Sequence, residues 1–500
     1  MAEPLTTPRG RVGRALERAR KPDREKMEAH KQRVPFGFVF ALLFVLASYQ
    51  ILMNPFGFSD LTQRYTQDVS ELLITGPYLY PKTGHEAVSV ALISENTLHT
   101  LDTSWPWKYG THARALDALL SFHPKAVVVD FLFVDQRKDD TTLKELLEEI
   151  DRYKKQGVPI YFEFANDVPD GASAVLPELG KKKITFLDPT ILVNHGIVRQ
   201  YPIEGKCFAN GKVGGACPSL ALRVYEDLFH KKPRVSPEGL MELVWGTRSD
   251  PINAKWMHLT DENGQLQSCE LNLGFWRRIF LAFFDTDAVK SRCPYSSIIP
   301  VESLMMGGED LDVEHLAKDR IVFYGGGLEG AQDKSFTPVN GLQPNVFVHA
   351  MAMDNLITFN GKPQQNVVEL GGMTFDSNPV QVVAIIPVII ILTWIHMRRL
   401  RREREKRGEP KRGELLEYFL EKLAEQAWHW LGFGLALGAG LVLTLAAGLS
   451  VANWVEVVFV AVELAAMLLF RVPDTIWGYI RHVIGEIEML ENNPQEESVP

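Results

Sequence analysis

The chain opens its apolar pattern with one long run: from Val34 to Met53, twenty residues pass without a charged side chain. That length spans a hydrocarbon layer of ~30 Å as a helix. A second uncharged run covers 379–397 and stops at Arg398, a third covers 431–450, and a fourth covers 451–470, interrupted by Glu456 and Glu463. The pattern predicts four transmembrane helices, at 34–53, 379–397, 431–450 and 451–472. Between the first two, at 54–378, the pattern changes period. Ala87 to Ile93 (AVSVALI), Ala126 to Phe133 (AVVVDFLF), Val158 to Phe164 and Arg320 to Tyr324 are short, continuous, β-branched or aromatic runs. Helix-spaced segments lie at Gly110 to Phe122 and Thr141 to Lys155. Strand–helix alternation of this kind predicts an α/β domain, a mostly parallel sheet with helices on both faces.

Charge orients the spans, because lysine and arginine concentrate on the cytoplasmic side. Residues 1–35 hold ten basic and five acidic side chains, and 398–412 hold nine and three. Both are expected inside. Segment 54–378, with 31 basic and 42 acidic residues, is expected outside. The layout is then a cytoplasmic basic segment 1–33, a span, the outer domain 54–378, a span, a cytoplasmic basic loop with an amphipathic helix at 398–430, two spans, and a cytoplasmic acidic tail 473–500. A cleaved signal peptide is the competing reading of the first run, but its basic lead is long and Ala47-Ser48-Tyr49 is a poor cleavage site. Over 500 residues the net charge is −9, which disfavours nucleic acid as a partner. A mean hydropathy of −0.06 suits a soluble protein and hides the spans by averaging.

The four cysteines, Cys207, Cys217, Cys269 and Cys293, all fall in the outer segment, where oxidation is permitted. The simplest pairing is local, Cys207 with Cys217 and Cys269 with Cys293, among three possible connectivities. Zinc is the alternative, without a CxxC or paired histidines to support it, and no metal is expected.

Several motifs stand in a recognisable order. Ser94-Glu95 closes a strand, Trp105-Pro106-Trp107 makes a turn, His112-Ala113 sits in a helix, and Asp130 to Phe133 closes the next strand. Gly196 and Arg199 lie in HGIVRQYPI, and Pro218, Ser219 and Leu220 start a helix. Asp333, Thr337, Pro338, Val346, His349, Ala350 and Asn355 mark the closing segment. Together these resemble the CHASE2 domain, an extracytoplasmic sensory module of bacterial membrane receptors. One span before the domain and three after it is also the layout the resemblance implies. Ser94 stands where an acid is usual, Asn345 where the closing helix usually has glycine, and 275–292 resembles an insertion bracketed by Cys269 and Cys293. CHASE2 receptors usually continue into a kinase or cyclase, whereas only 473–500 follow the last span here, so an output through a separate partner is expected.

Candidate chemistry gathers at strand ends, the rim where open α/β sheets bind ligands. Glu95, Asp130 and Asp135, with His112 and Arg199, are candidates for a ligand pocket; the alternative is that the acids cap helices and tie loops. No nucleophile elbow accompanies them, so no enzyme is expected. Gly325 to Gly330 (GGGLEG) matches GxGxxG formally but leads into a turn-rich stretch, so a tight turn is expected and no cofactor. The Trp105-Pro106-Trp107 turn reads as packing or as an aromatic platform, and the aromatic 275–292 segment as a membrane or subunit contact or as a buried helix. Glu463 and the Gly434, Gly438 pair are candidates for coupling between spans. Lipid at the basic run, a homo-oligomer and a separate signalling or assembly protein are the expected partners. The function expected is a sensor in the bacterial inner membrane, with both termini cytoplasmic and the domain periplasmic; the alternative is a scaffolding subunit of a membrane-anchored assembly.

Overall fold

The computed structural model describes residues 34–53, 67–405, 434, 437–438 and 451–491. Within 67–405 it omits 70, 135–136, 169–172, 234–238, 258, 260–264, 272, 308–310, 331–332, 363–366 and 371–372. The basic N-terminal segment, most of the inner loop, nearly all of 431–450 and Asp135 lie outside the described residues. The chain divides into two compact units, one built mainly from Thr62–Ser377 and one from the flanking helices.

The first unit begins with β1 (Val88–Ile93), β2 (Ala126–Asp130), β3 (Ile160–Glu163) and β4 (Thr185–Leu187). Next come the short strands β5 (Leu192–Asn194) and β6 (Ile197–Pro202), a hairpin of β7 (Glu204–Ala209) and β8 (Lys212–Pro218), and β9 (Leu240–Glu242). The last are β10 (Ser297–Pro300), β11 (Ile321–Gly326), β12 (Lys334–Thr337) and β13 (Gly341–Pro344). Six of them form one sheet in the order β10-β1-β11-β2-β3-β4, every pairing parallel. This is the α/β sheet the apolar runs imply, and its strands are buried on both faces, which is why they read as continuous rather than alternating.

Successive residues still divide between faces. Val127, Val129, Phe162, Val322 and Tyr324 pack under the helices Tyr109–Ser121 and Leu143–Gln156, through Leu116, Leu119, Leu146, Ile150 and Tyr153. Val128, Tyr161 and Phe323 face the helices Leu220–Phe229 and Asn345–Thr358, through Val224, Tyr225, Val348, Met351 and Leu356. Each such side chain contributes roughly 1.5–3 kcal/mol on full burial.

A second sheet, β13-β12-β6-β5 with β9 on β6, lies beyond the first in the chain's path. The β7–β8 hairpin turns at Asn210-Gly211, both at positive φ, the geometry that suits a tight hairpin. Cys207–Cys217 crosslinks that hairpin and Cys269–Cys293 closes the excursion that holds the helix Phe275–Phe284. The local pairing is the one that forms.

In the second unit the helix Phe36–Met53 buries Val39, Leu43, Ala47 and Ile51 at four-residue spacing. These meet Ile385, Val388, Ile389 and Leu392 of the helix Ser377–Glu405, and Val460, Ala461, Leu464 and Leu468 of the helix Val451–Leu469. A 20-residue helix, Val472–Glu491, follows, and its Asp474 lies 3.3 Å from His396. Among the described residues two helices, not four, are long and apolar enough to cross a bilayer, Phe36–Met53 and Gln381–Arg401; Val460–Leu469 is a shorter apolar stretch. Only 22% and 44% of the two apolar windows is buried, less than a core helix of a soluble protein shows. The expected third span falls almost wholly outside the described residues.

Candidate functional site

The parallel register sets one row of residues at the C-terminal end of the large sheet. Leu92 lies beside Gly325, Gly325 beside Asp130, and Glu163 beside Leu187. Because Val129 pairs with Phe162, the next residues along, Asp130 and Glu163, meet at the same height. An apolar strand that ends in an acid is ordinary. Two neighbouring strands that end in acids at one level place two carboxyls side by side.

Both are buried, Asp130 at 6% exposure and Glu163 at 4%. A third group comes from above: His349, in the second turn of the helix Asn345–Thr358, is 1% exposed and turns toward the same point. One donor atom from each of the three lies within 4.8 Å of the others. His349 Nδ1 is 2.7 Å from the Tyr201 hydroxyl, and Nε2 is 4.0 Å from Glu163 Oε1. That Glu163 oxygen has no hydrogen-bond partner. Gly325 makes the room: a Cβ there would stand 2.7 Å from Val346 and 3.0 Å from Asp130 Oδ2. The glycine run therefore serves close approach at a strand end and leads into β12, with no helix behind it for a pyrophosphate.

The electrostatics follow from burial. Loss of water raises Asp130 from 3.8 to about 7, and raises Glu163 well above the usual carboxyl range, with the neighbouring Asp130 charge adding to it. Burial and the closeness of the two carboxyls both disfavour a second negative charge, so Glu163 is held toward its neutral form. Burial lowers His349 to about 3, so its ring is neutral and the 4.0 Å contact is no ion pair. Asp333, at the solvent side, is raised by desolvation and bonded by the Asn345 amide, which also accepts from Ser335. Asp188, by contrast, is fully engaged, accepting from Asn166, Thr190 and the Lys206 backbone.

The CHASE2 domain family matches residues 38–391, more than half of the chain. The chain belongs to the CHASE2 family. The match starts inside the first apolar helix and ends inside the second, so it takes in part of each along with the sheet. CHASE2 domains are extracellular sensory domains, and the two disulfides suit that setting. Comparisons with curated proteins and with solved structures return no match.

Within this CHASE2 domain the residues singled out from sequence separate. Asp130 is in the cluster. His112 faces the other side of the sheet, its Nδ1 2.9 Å from the Tyr324 hydroxyl and its ring among Trp105, Trp107, Phe131 and Phe133. Burial lowers it to about 3, the state of a neutral core histidine. Glu95 is exposed at a helix start and accepts from the Glu329 backbone. Arg199 forms a two-point pair with Asp68, at 2.8 and 2.7 Å, tying β6 to the segment ahead of β1 in the same unit. The Trp105-Pro106-Trp107 turn packs inward through Trp107, which is 1% exposed. Glu463 lies on an outward face of its helix, and a Cβ added at Gly434 or Gly438 would meet no atom within 4 Å among the described residues. Glu163 and His349 carry no site assignment from sequence. His349 marks the family, and Glu163 becomes visible only once β2 and β3 are set in register.

Proposed function

We propose that this CHASE2 protein is a multi-pass membrane sensor with both termini cytoplasmic, that its outer domain binds its cue at the Asp130–Glu163–His349 cluster, and that it acts on a separate partner protein. The observation that carries the reading is the cluster itself. Buried carboxyls without full partners cost stability, and such costs concentrate where a ligand repays them. The helix Val472–Glu491 and the exposed Arg398, Arg399 and Arg401 are surfaces for a partner or for lipid headgroups.

A residue kept for binding is a poor choice for stability. Glu163→Gln removes the buried ionisable group and keeps a donor toward Asp130, so the ligand-free full chain in detergent is expected to melt a few degrees higher, roughly 1 kcal/mol more stable. A lower melting temperature would mean that Glu163 serves the fold.

One observation favours a second reading, an assembly surface. On the helix Phe275–Phe284, Trp276, Phe280 and Phe284 recur every four residues and are 78%, 60% and 76% exposed. A stripe of three exposed aromatics on one face suits a subunit contact.

A further inference from the structure

The cluster has the donor set of a cation site. One imidazole nitrogen and carboxylate oxygens from two strands converge, all buried, with a third carboxylate, Asp333, at the solvent side. His349 is set as metal-bound histidines usually are: its Nδ1 is engaged by the Tyr201 hydroxyl at 2.7 Å, which fixes the ring and leaves Nε2 for the centre of the cluster. Glu163 Oε1 lies within that centre, buried and without a hydrogen-bond partner. Ligands of one ion at 2.0–2.2 Å stand about 3–3.6 Å apart, so donors within 4.8 Å need at most about 1–2 Å of tightening. Asp130 and Glu163 are at the ends of strands whose backbones are fixed by the parallel ladder, which holds the two donors side by side without a loop. Two carboxyl groups at the centre also disfavour phosphate and other anions, which they would repel once ionised.

We propose that Asp130, Glu163 and His349 bind a divalent transition-metal cation, Zn2+ or Mn2+, as the cue or as a part of the cue's binding site. This rests on the sensory reading of the same cluster and narrows it. The mixed nitrogen and oxygen donors select such ions over Mg2+ and Ca2+, which take oxygen alone. Exposed Asp333 accepts from the half-buried Asn345 amide, and Asn345 occupies the position where the CHASE2 pattern carries glycine. Zinc has no thiol to compete for it, because all four cysteines are in disulfides.

The test uses the full chain in detergent, stripped with a chelator, and titrated calorimetrically with Zn2+, Mn2+, Mg2+ or Ca2+ alone. The expected result is one equivalent of Zn2+ or Mn2+ bound, with affinity at least tenfold weaker in Glu163→Gln and in Asp130→Asn, and no comparable site for Mg2+ or Ca2+. Pulsed electron paramagnetic resonance of Mn2+ on the wild-type chain is expected to show coupling to an imidazole nitrogen, a readout that needs no variant to fold. Failure of wild type to bind either ion, equal binding by the variants, or bound Mn2+ without nitrogen coupling would each overturn the proposal. If no ion binds but an organic ligand is retained in a Glu163-dependent way, the cation falls and the sensory reading stands.

Discussion

Single residues in this domain were chosen against their own charge. Asp354 is 1% exposed, accepts from the Tyr80 hydroxyl at 2.5 Å and from Thr358 at 3.0 Å, and leaves Oδ2 without a partner. Gly84 provides its space, since a Cβ there would come within 2.2 Å of Asp354 Oδ1. Burial raises this acid from 3.8 to about 7. A folded-state value above the unfolded one means that the native chain holds the proton more tightly, so the contribution is complete below 3.8 and is lost as pH rises through about 7. Thermal melts between pH 5 and 8 should therefore fall with pH in the wild type and fall less steeply in Asp354→Asn; equal slopes would show that Asp354 does not titrate there. Asp130 is legible in the sequence because it closes an unbroken apolar run. Glu163 closes a run as well, but a lone acid at a strand end has many ordinary explanations, and only register turns two of them into a pair.

Elements with a strong period are legible in the sequence. The buried strands β1, β2, β3 and β11 and the helices Tyr109–Ser121 and Leu143–Gln156 fall within one to three residues of the expected runs, because continuous β-branched stretches and four-residue apolar spacing have few other solutions. The second sheet is not: β5 and β9 have three residues each, too short for any period, and tertiary pairing to β6 defines them. The helix Phe275–Phe284 admits two readings from sequence, and the structure gives it both a buried face at Ala282 and an exposed aromatic face. If that stripe joins copies of the chain, replacing Trp276, Phe280 and Phe284 with serine should lower the mass of the full chain in detergent to that of a monomer while leaving its melting temperature within a few degrees. An unchanged mass removes the assembly reading.

Across the whole molecule, charge patterning is what the averages conceal. A near-zero mean hydropathy combines long apolar helices with a polar, net acidic domain and two basic flanks. The first two long apolar helices and the domain between them are legible from that contrast, and the CHASE2 match covers most of the same stretch. What no charge count could give is the place of the site, which depends on how five parallel pairings align the strand ends. On the proposed function, that alignment builds a binding site from Asp130, Glu163 and His349. Native mass spectrometry of the full chain, released gently from its membranes, is the sharpest test of that site. Wild type is expected to retain a bound mass, metal or organic, which Glu163→Gln loses; the same mass on both proteins, or none on either, would contradict the assignment.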